Sequence, residues 1–326
     1  MSIFNFRVKI LAKGIAFRVS SFEQRMTKKV ILLLLPLLTL SLALLSTEAS
    51  TVASAPPLDR ADSIAGPTVL IRLNPQARQR YIAPPDVFLR QSTSPDPAAA
   101  ANIVVNYLGS GWTAEARTAF EYAVTIWETL ITSPVPIVVD AQFNPMGPGI
   151  LGGTGPTDLW RDFPNAPQSN TWYSVATANK LANTDLNPSA ADIQATFNSA
   201  YSDWHFGTGS STPLNKINFS TVVLHELGHG LGFSGSMRVD NGSGYIECTG
   251  VPGIGCYGYS SFPTIYDRYA KNGAGTPLLA FPNFSTALAG QLTNNSLFFD
   301  SPGAKFANGG NPVPLYAPST WLQGSS

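Results

Sequence analysis

The alternation of apolar and polar positions divides the chain into short elements. An apolar run, Val30–Leu45, is followed by a stretch without sustained periodicity, in which Thr68–Leu73 alone reads as a strand. Ile103–Leu108 is β-rich and short, and a Gly109-Ser110-Gly111 turn follows. Thr113 then stands where a helix cap belongs, and Ala116, Ala119, Phe120, Ala123, Ile126, Trp127 and Leu130 recur at helical spacing. Pro134 and Pro136 end that helix. Ile137–Phe143 alternates as a strand, glycine-rich sequence comes next, and the pattern then predicts a helix over Val175–Leu181 and a strand over Asp192–Phe197. The last strongly patterned segment is Phe219–Phe233. Strand, helix, strand, loops, helix, strand, helix is the order of an α+β layer architecture.

The N-terminal apolar run changes meaning once its flanks are read. Met26-Thr-Lys-Lys precedes it and small residues follow, with Ala49, Ala53 and Ala55 as candidate cleavage positions. A positive region, an apolar region and a small-residue site make a secretory signal peptide within 26–55. The run falls short of the ~20 residues that a spanning helix needs, and Pro36 interrupts it. The expected organisation is therefore an N-terminal extension and signal peptide over 1–55, a linker or short pro-segment over 56–101, and one catalytic domain over 102–326. An exported protein with no lasting membrane attachment follows.

Charge sharpens the exclusions. Charged residues are 12% of the chain, about half the usual share of roughly 25%. Residues 1–55 hold seven of the 20 Lys and Arg, which leaves 56–326 with 13 basic and 18 acidic residues. No basic surface remains for a nucleic acid. Cys248 and Cys256 lie eight apart in a glycine-rich loop with no histidine near them, so a local disulfide is expected in an oxidising compartment. The sequence is silent on oligomeric state.

The chemistry sits in Phe219–Phe233. His225, Glu226 and His229 form an H-E-x-x-H pattern, and they include two of the three histidines in the chain. Residues four apart share one face of a helix, so both imidazoles can converge on one Zn²⁺. Glu226, one position on, is placed for general-base work on a water instead of for ligation. The rest of Val222–Phe233 is apolar or glycine, which buries the helix and leaves an ionisable trio needing a partner. Gly228, Gly230 and Gly232 suggest close approach of another backbone and a turn at the last of them.

These residues resemble a known family. His225-Glu226-x-x-His229-x-x-Gly232 is similar to the zinc signature of the metzincin metallopeptidases, and Leu231-Gly232-Phe233-Ser234 to their leishmanolysin-like branch. The resemblance implies a metzincin-like zincin domain with a twisted mixed sheet, a backing helix and an active-site helix. It implies Zn²⁺ as cofactor and a protein or peptide as substrate. It also implies a third histidine three residues after Gly232, where this chain has Gly235. In the leishmanolysin-like branch a long insertion separates that histidine from the helix, and similar exported proteins place it after a stretch like Tyr316-Ala317-Pro318, Trp321 and Gly324-Ser325-Ser326. No histidine follows His229, so the expectation is a domain incomplete at its C-terminus or a site completed by another group.

Three other groups are candidates for the third ligand. His205 reads as a packing or edge residue, Glu247 adjoins the cysteine loop, and Asp267 reads as a turn cap or an ion-pair partner of Arg268. The third ligand is unassigned at this level. Two function classes stand: a secreted zinc peptidase with Glu226 as base, and an exported zincin-like binding or surface domain impaired by the missing ligand.

Overall fold

A computed structural model describes residues 61–73, 101–240, 248–315 and 317. The expected signal peptide and Glu247 lie outside the described residues. Among those described, no helix is long and apolar enough to cross a membrane. The class is α+β, with five α-helices and several sheets among the described residues.

The central sheet has five strands in the order β2-β5-β8-β4-β3, formed by Val69–Arg72, Ile150–Pro156, Ile193–Asn198, Ile137–Asn144 and Ile103–Leu108 respectively. Helix α1 (Ala114–Leu130) connects β3 to β4, which pair in parallel; β4 and β8 are also parallel. β5 and β2 run antiparallel to their neighbours. Period-2 patterning fixes the inner face: Ile137, Val139, Ala141 and Phe143 of β4 are buried, as are Ile193, Ala195 and Phe197 of β8, while the residues between them on β4 are only half-buried.

Two helices cover that face. α1 begins where Thr113 accepts a hydrogen bond from the Ala116 N–H (3.1 Å) and buries Ala116, Ala119, Phe120, Ala123, Val124 and Ile126. The second, α3 (Phe219–Gly230), places Phe219, Val222, Val223 and Leu227 in the same core. Its first residue is the hub of an aromatic cluster. The Phe219 ring meets Trp204 at 5.0 Å, Phe197 and Phe206 at 5.2 Å, and Phe143 at 5.6 Å, all edge to face. The Trp127 indole N–H of α1 donates to the Leu224 carbonyl of α3 (3.0 Å), and the Ser220 hydroxyl donates to Ala119 O (2.9 Å).

Smaller layers surround this core. β1 (Asp62–Ala65), β6 (Asp158–Arg161) and β7 (Tyr173–Ser174) form a three-stranded antiparallel sheet, and β7 leads into α2 (Val175–Ala182). β9 (Trp204–His205) pairs in parallel with β10 (Ile217–Asn218). Beyond α3, β11 (Arg238–Val239) pairs with β12 (Gly255–Cys256), and Cys256 is joined to Cys248 as expected. A second core gathers Ala270, Leu278, Leu288, Leu297 and Ala317. Around it lie β13 (Ala270–Asn272), α4 (Thr286–Leu292), β14 (Leu297–Phe299), α5 (Pro302–Ala307) and β15 (Val313–Leu315).

Two expectations change. In the described part of the 56–101 segment the strand expected at Thr68–Leu73 is β2, and Asp62–Ala65 adds a second, β1; each pairs into a sheet. The glycine-rich stretch after Phe143 is not only loop but contains β5. Its sequence, Ile-Leu-Gly-Gly-Thr-Gly-Pro, has little strand propensity; pairing with β8 and β2 on both sides imposes the extended form.

Candidate metal centre

Helix α3 is held at both ends, which sets the direction of its side chains. The Asn218 side chain caps the start by accepting from the Thr221 N–H (2.8 Å). That role buries Asn218. At the other end Gly232 takes φ +107°, a conformation that favours glycine. The Phe233 N–H donates to Gly228 O (2.9 Å) and the Gly232 N–H to His229 O (3.0 Å), a Schellman closure. The Ser174 and Thr177 hydroxyls both donate to Leu231 O, at 2.9 and 3.0 Å. The expected turn at Gly232 is present, but the close approach at Gly230 is to a side chain and not to another backbone. A Cβ on Gly230 would lie 2.5 Å from Ile193 Cγ2.

This frame brings the three sequence-predicted groups together. His225, Glu226 and His229 are the one set of three potential metal ligands found among the described residues, with one ligand atom of each within 4.8 Å of the others. The two imidazole Nε2 atoms are 3.1 Å apart and the ring planes cross at 86°. The His229 Nδ1–H donates to the Phe233 carbonyl (2.9 Å), so its Nε2 presents a lone pair toward His225. The Schellman turn that ends the helix therefore also orients a candidate ligand.

Burial shifts all three groups toward their neutral forms. Burial, and then the neighbouring His229, push His225 down to about 4. Burial lowers His229 as well, against the pull of the Phe233 carbonyl. The Glu226 side chain is fully buried, and burial pushes its carboxyl up to about 8. Thr154 of β5 lies close enough to ease that shift, yet no donor meets either Glu226 oxygen in hydrogen-bond geometry, and the Thr154 hydroxyl is itself unpartnered. Two neutral imidazoles and an orphaned buried carboxyl are costly in a protein interior. A zinc ion fits this set. Two nitrogens bound tetrahedrally at ~2.0–2.1 Å lie roughly 3.3 Å apart, close to the spacing here.

The other candidates point elsewhere. His205 is on β9, opposite Asn218 of β10, outside the group of three, in the edge position expected of it. Asp267 is buried in a turn of its own. Its Oδ2 accepts from the Thr264 N–H (2.8 Å) and the Ser236 hydroxyl, its Oδ1 accepts from the Ser236 N–H (2.9 Å), and its own N–H donates to the Thr264 hydroxyl (3.3 Å). Burial raises its pKa, and these bonds oppose the rise. Asp267 is thus the turn cap; Arg268 turns instead to the Thr171 hydroxyl (2.7 Å) and the Ser169 carbonyl (3.2 Å). At Gly235, a Cβ would already sit 2.9 Å from Tyr266 Cδ1 and 3.0 Å from Asp267 Oδ1, so the position where the resemblance implies a histidine has no room for one. Among the described residues, only Glu226 joins the two imidazoles in a group of possible ligands.

Sequence reasoning missed the residues around the centre. His229 lines a narrow cleft with Pro67, Pro156, Trp172, Ser174 and Tyr259. Trp172 is anchored there by its indole N–H, which donates to Tyr259 O (2.7 Å). Pro67 and Thr154 come from segments without periodicity, so only the strand pairing reveals them. No protein-family model, curated protein or solved structure matches this chain.

Proposed function

We propose that this chain is an exported zinc-dependent metallopeptidase of metzincin-like type, with His225 and His229 as metal ligands and Glu226 as general base. The observation that carries the reading is the pair of Nε2 atoms 3.1 Å apart beside a buried carboxyl without a partner. Zinc bound at such a centre supplies Lewis-acid polarisation of a carbonyl and lowers the pKa of a coordinated water.

The chain's own residues do the rest. His229 is locked in the tautomer that ligation needs by its bond to Phe233 O. Glu226, on the same helix turn, takes the proton of the attacking water on a carboxylate oxygen as the C–O bond forms. It returns that proton to the amide nitrogen as the C–N bond breaks, so the carboxylate is regenerated. The buried setting of Glu226 keeps bulk water from competing for the proton.

One observation favours a second reading. His205 lies outside the group of three and Asp267 is bonded to Thr264 and Ser236, so a centre with two imidazoles would hold metal weakly and serve a binding or surface domain. Hydrolysis of casein by the zinc-loaded chain separates the two. The peptidase reading expects activity that is abolished in Glu226→Gln and by a chelator. A chain that binds zinc and leaves casein intact belongs to the second reading.

A further inference from the structure

β5 offers α3 little beyond backbone. Its register against β8 sets Gly152 opposite Phe197, Thr154 opposite Ala195 and Pro156 opposite Ile193. Residues opposite one another share a face, so these three positions lie on the inner face with the core side chains of β8. α3 packs on β5 from that side. In the sequence Ile-Leu-Gly-Gly-Thr-Gly-Pro, the Thr154 hydroxyl is the one hydrogen-bonding side chain that the strand carries.

That hydroxyl is costly where it stands. Thr154 is fully buried, and its Oγ1 meets no hydrogen-bond partner. Valine has the same shape, suits a strand as well and would bury no polar atom. Glu226 of α3 presents the matching deficit: it too is fully buried, and both its carboxyl oxygens lack a partner. Thr154 stands close enough to favour the Glu226 carboxylate, short of hydrogen-bond geometry. Contacts to a reacting group are often long in the free protein and tighten once the site is filled. A donor and an acceptor, each unmet, thus face one another across the layer between β5 and α3.

We propose that the Thr154 hydroxyl donates to one Glu226 carboxylate oxygen and so positions the general base, leaving the other oxygen to the water that it deprotonates. Thr154 keeps its own proton throughout and acts only through Glu226. The inference rests on the peptidase reading for what Glu226 does, but the bond itself is measurable without metal or substrate.

The first test is a double-mutant cycle on the zinc-free full chain, followed by urea unfolding. Thr154→Val keeps the shape and deletes the hydroxyl; Glu226→Met removes the carboxyl oxygens. With Glu226 present, Thr154→Val is expected to raise the unfolding constant about fivefold or more. In the Glu226→Met background it should leave that constant unchanged or lower it, because an unmatched hydroxyl has gone. The second test uses the zinc-loaded chain and casein. Thr154→Val is expected to lower kcat about tenfold or more, with KM and zinc content near the wild-type values. Thr154→Ser, which keeps a hydroxyl, should restore most of the loss.

A purely structural threonine changes stability equally in both backgrounds, and that result overturns the proposal. So does an unchanged kcat for Thr154→Val in a chain that is active. Coupled stabilities in a zinc-loaded chain that leaves casein intact uphold the bond and sink the peptidase reading instead. Should Thr154→Val fail to fold, Thr154→Ala against Thr154→Ser makes the same comparison, since the two differ by the hydroxyl alone. Equal kcat and equal stability in that pair overturn the proposal.

Discussion

At Glu226 the environment and the chemistry make opposite demands on one side chain. Full burial favours the protonated acid, whereas a general base must be ionised. The proposed divalent cation between His225 and His229 would reverse the preference, so the roles of the three residues are separable by substitution. Glu226→Gln keeps the volume and removes the base; peptide hydrolysis should fall by about 10²–10⁴-fold. Zinc content by elemental analysis should stay near the wild-type value. His229→Ala removes a proposed ligand and should lose the metal itself. The motif was legible because a helix makes spacing equivalent to geometry: positions 225 and 229 must share a face. The third ligand was not legible, because the residues that reject it act through tertiary contact. Gly235 is closed off by Tyr266, and Asp267 is consumed by Ser236 and Thr264, none of which spacing reveals.

Helix α3 shows how an element is fixed by its ends and one anchor. Asn218 caps it, the Gly232 turn closes it, and Phe219 seats its first turn among four aromatic rings at 5.0–5.6 Å. Phe219→Ala empties the middle of that cluster and should cost about 3–5 kcal/mol, measured by urea unfolding. Because the same helix carries His225 and His229, affinity at the proposed zinc site should drop with it. Gly230→Ala acts at the other end, where a methyl would press on Ile193 from 2.5 Å; overpacking of this kind costs about 1–3 kcal/mol. Elements with a period were readable in advance: α1 and β4 bury the residues that their spacing selects, except that Trp127 is half-buried and Leu130 exposed. β5 was not readable. Three glycines in seven residues carry no pattern, and the strand exists because β8 and β2 flank it.

Across the whole molecule, stability depends on carboxyls buried where the layers join. Asp192 precedes β8 and ties two layers: Oδ2 accepts from the Val138 N–H of β4 (2.7 Å), and Oδ1 accepts from the Asn179 side chain of α2 (2.8 Å). Burial raises its pKa to about 6; nearby Asp185 adds to the rise, while the bonds from Val138 and Asn179 oppose it. The folded state therefore holds this proton more tightly than an unfolded chain, whose aspartate titrates at ~3.9. Its contribution is full below pH ~4 and is lost as pH climbs through about 6, because the unfolded chain then binds fewer protons. Asp267 is shifted the same way, while Glu226 and His225 titrate in overlapping ranges, so the slope for wild type alone mixes several groups. The difference between wild type and Asp192→Asn isolates one of them. Asparagine can still accept from Val138 N–H but turns a donor toward Asn179, so the variant should be less stable at pH 4. That deficit should shrink steadily between pH 4 and pH 7 in urea unfolding, since only wild type must ionise a buried acid there. A gap that stays constant over the range would mean that Asp192 titrates alike in the folded and unfolded chain, and that the joint between β4 and α2 carries no proton-linked energy.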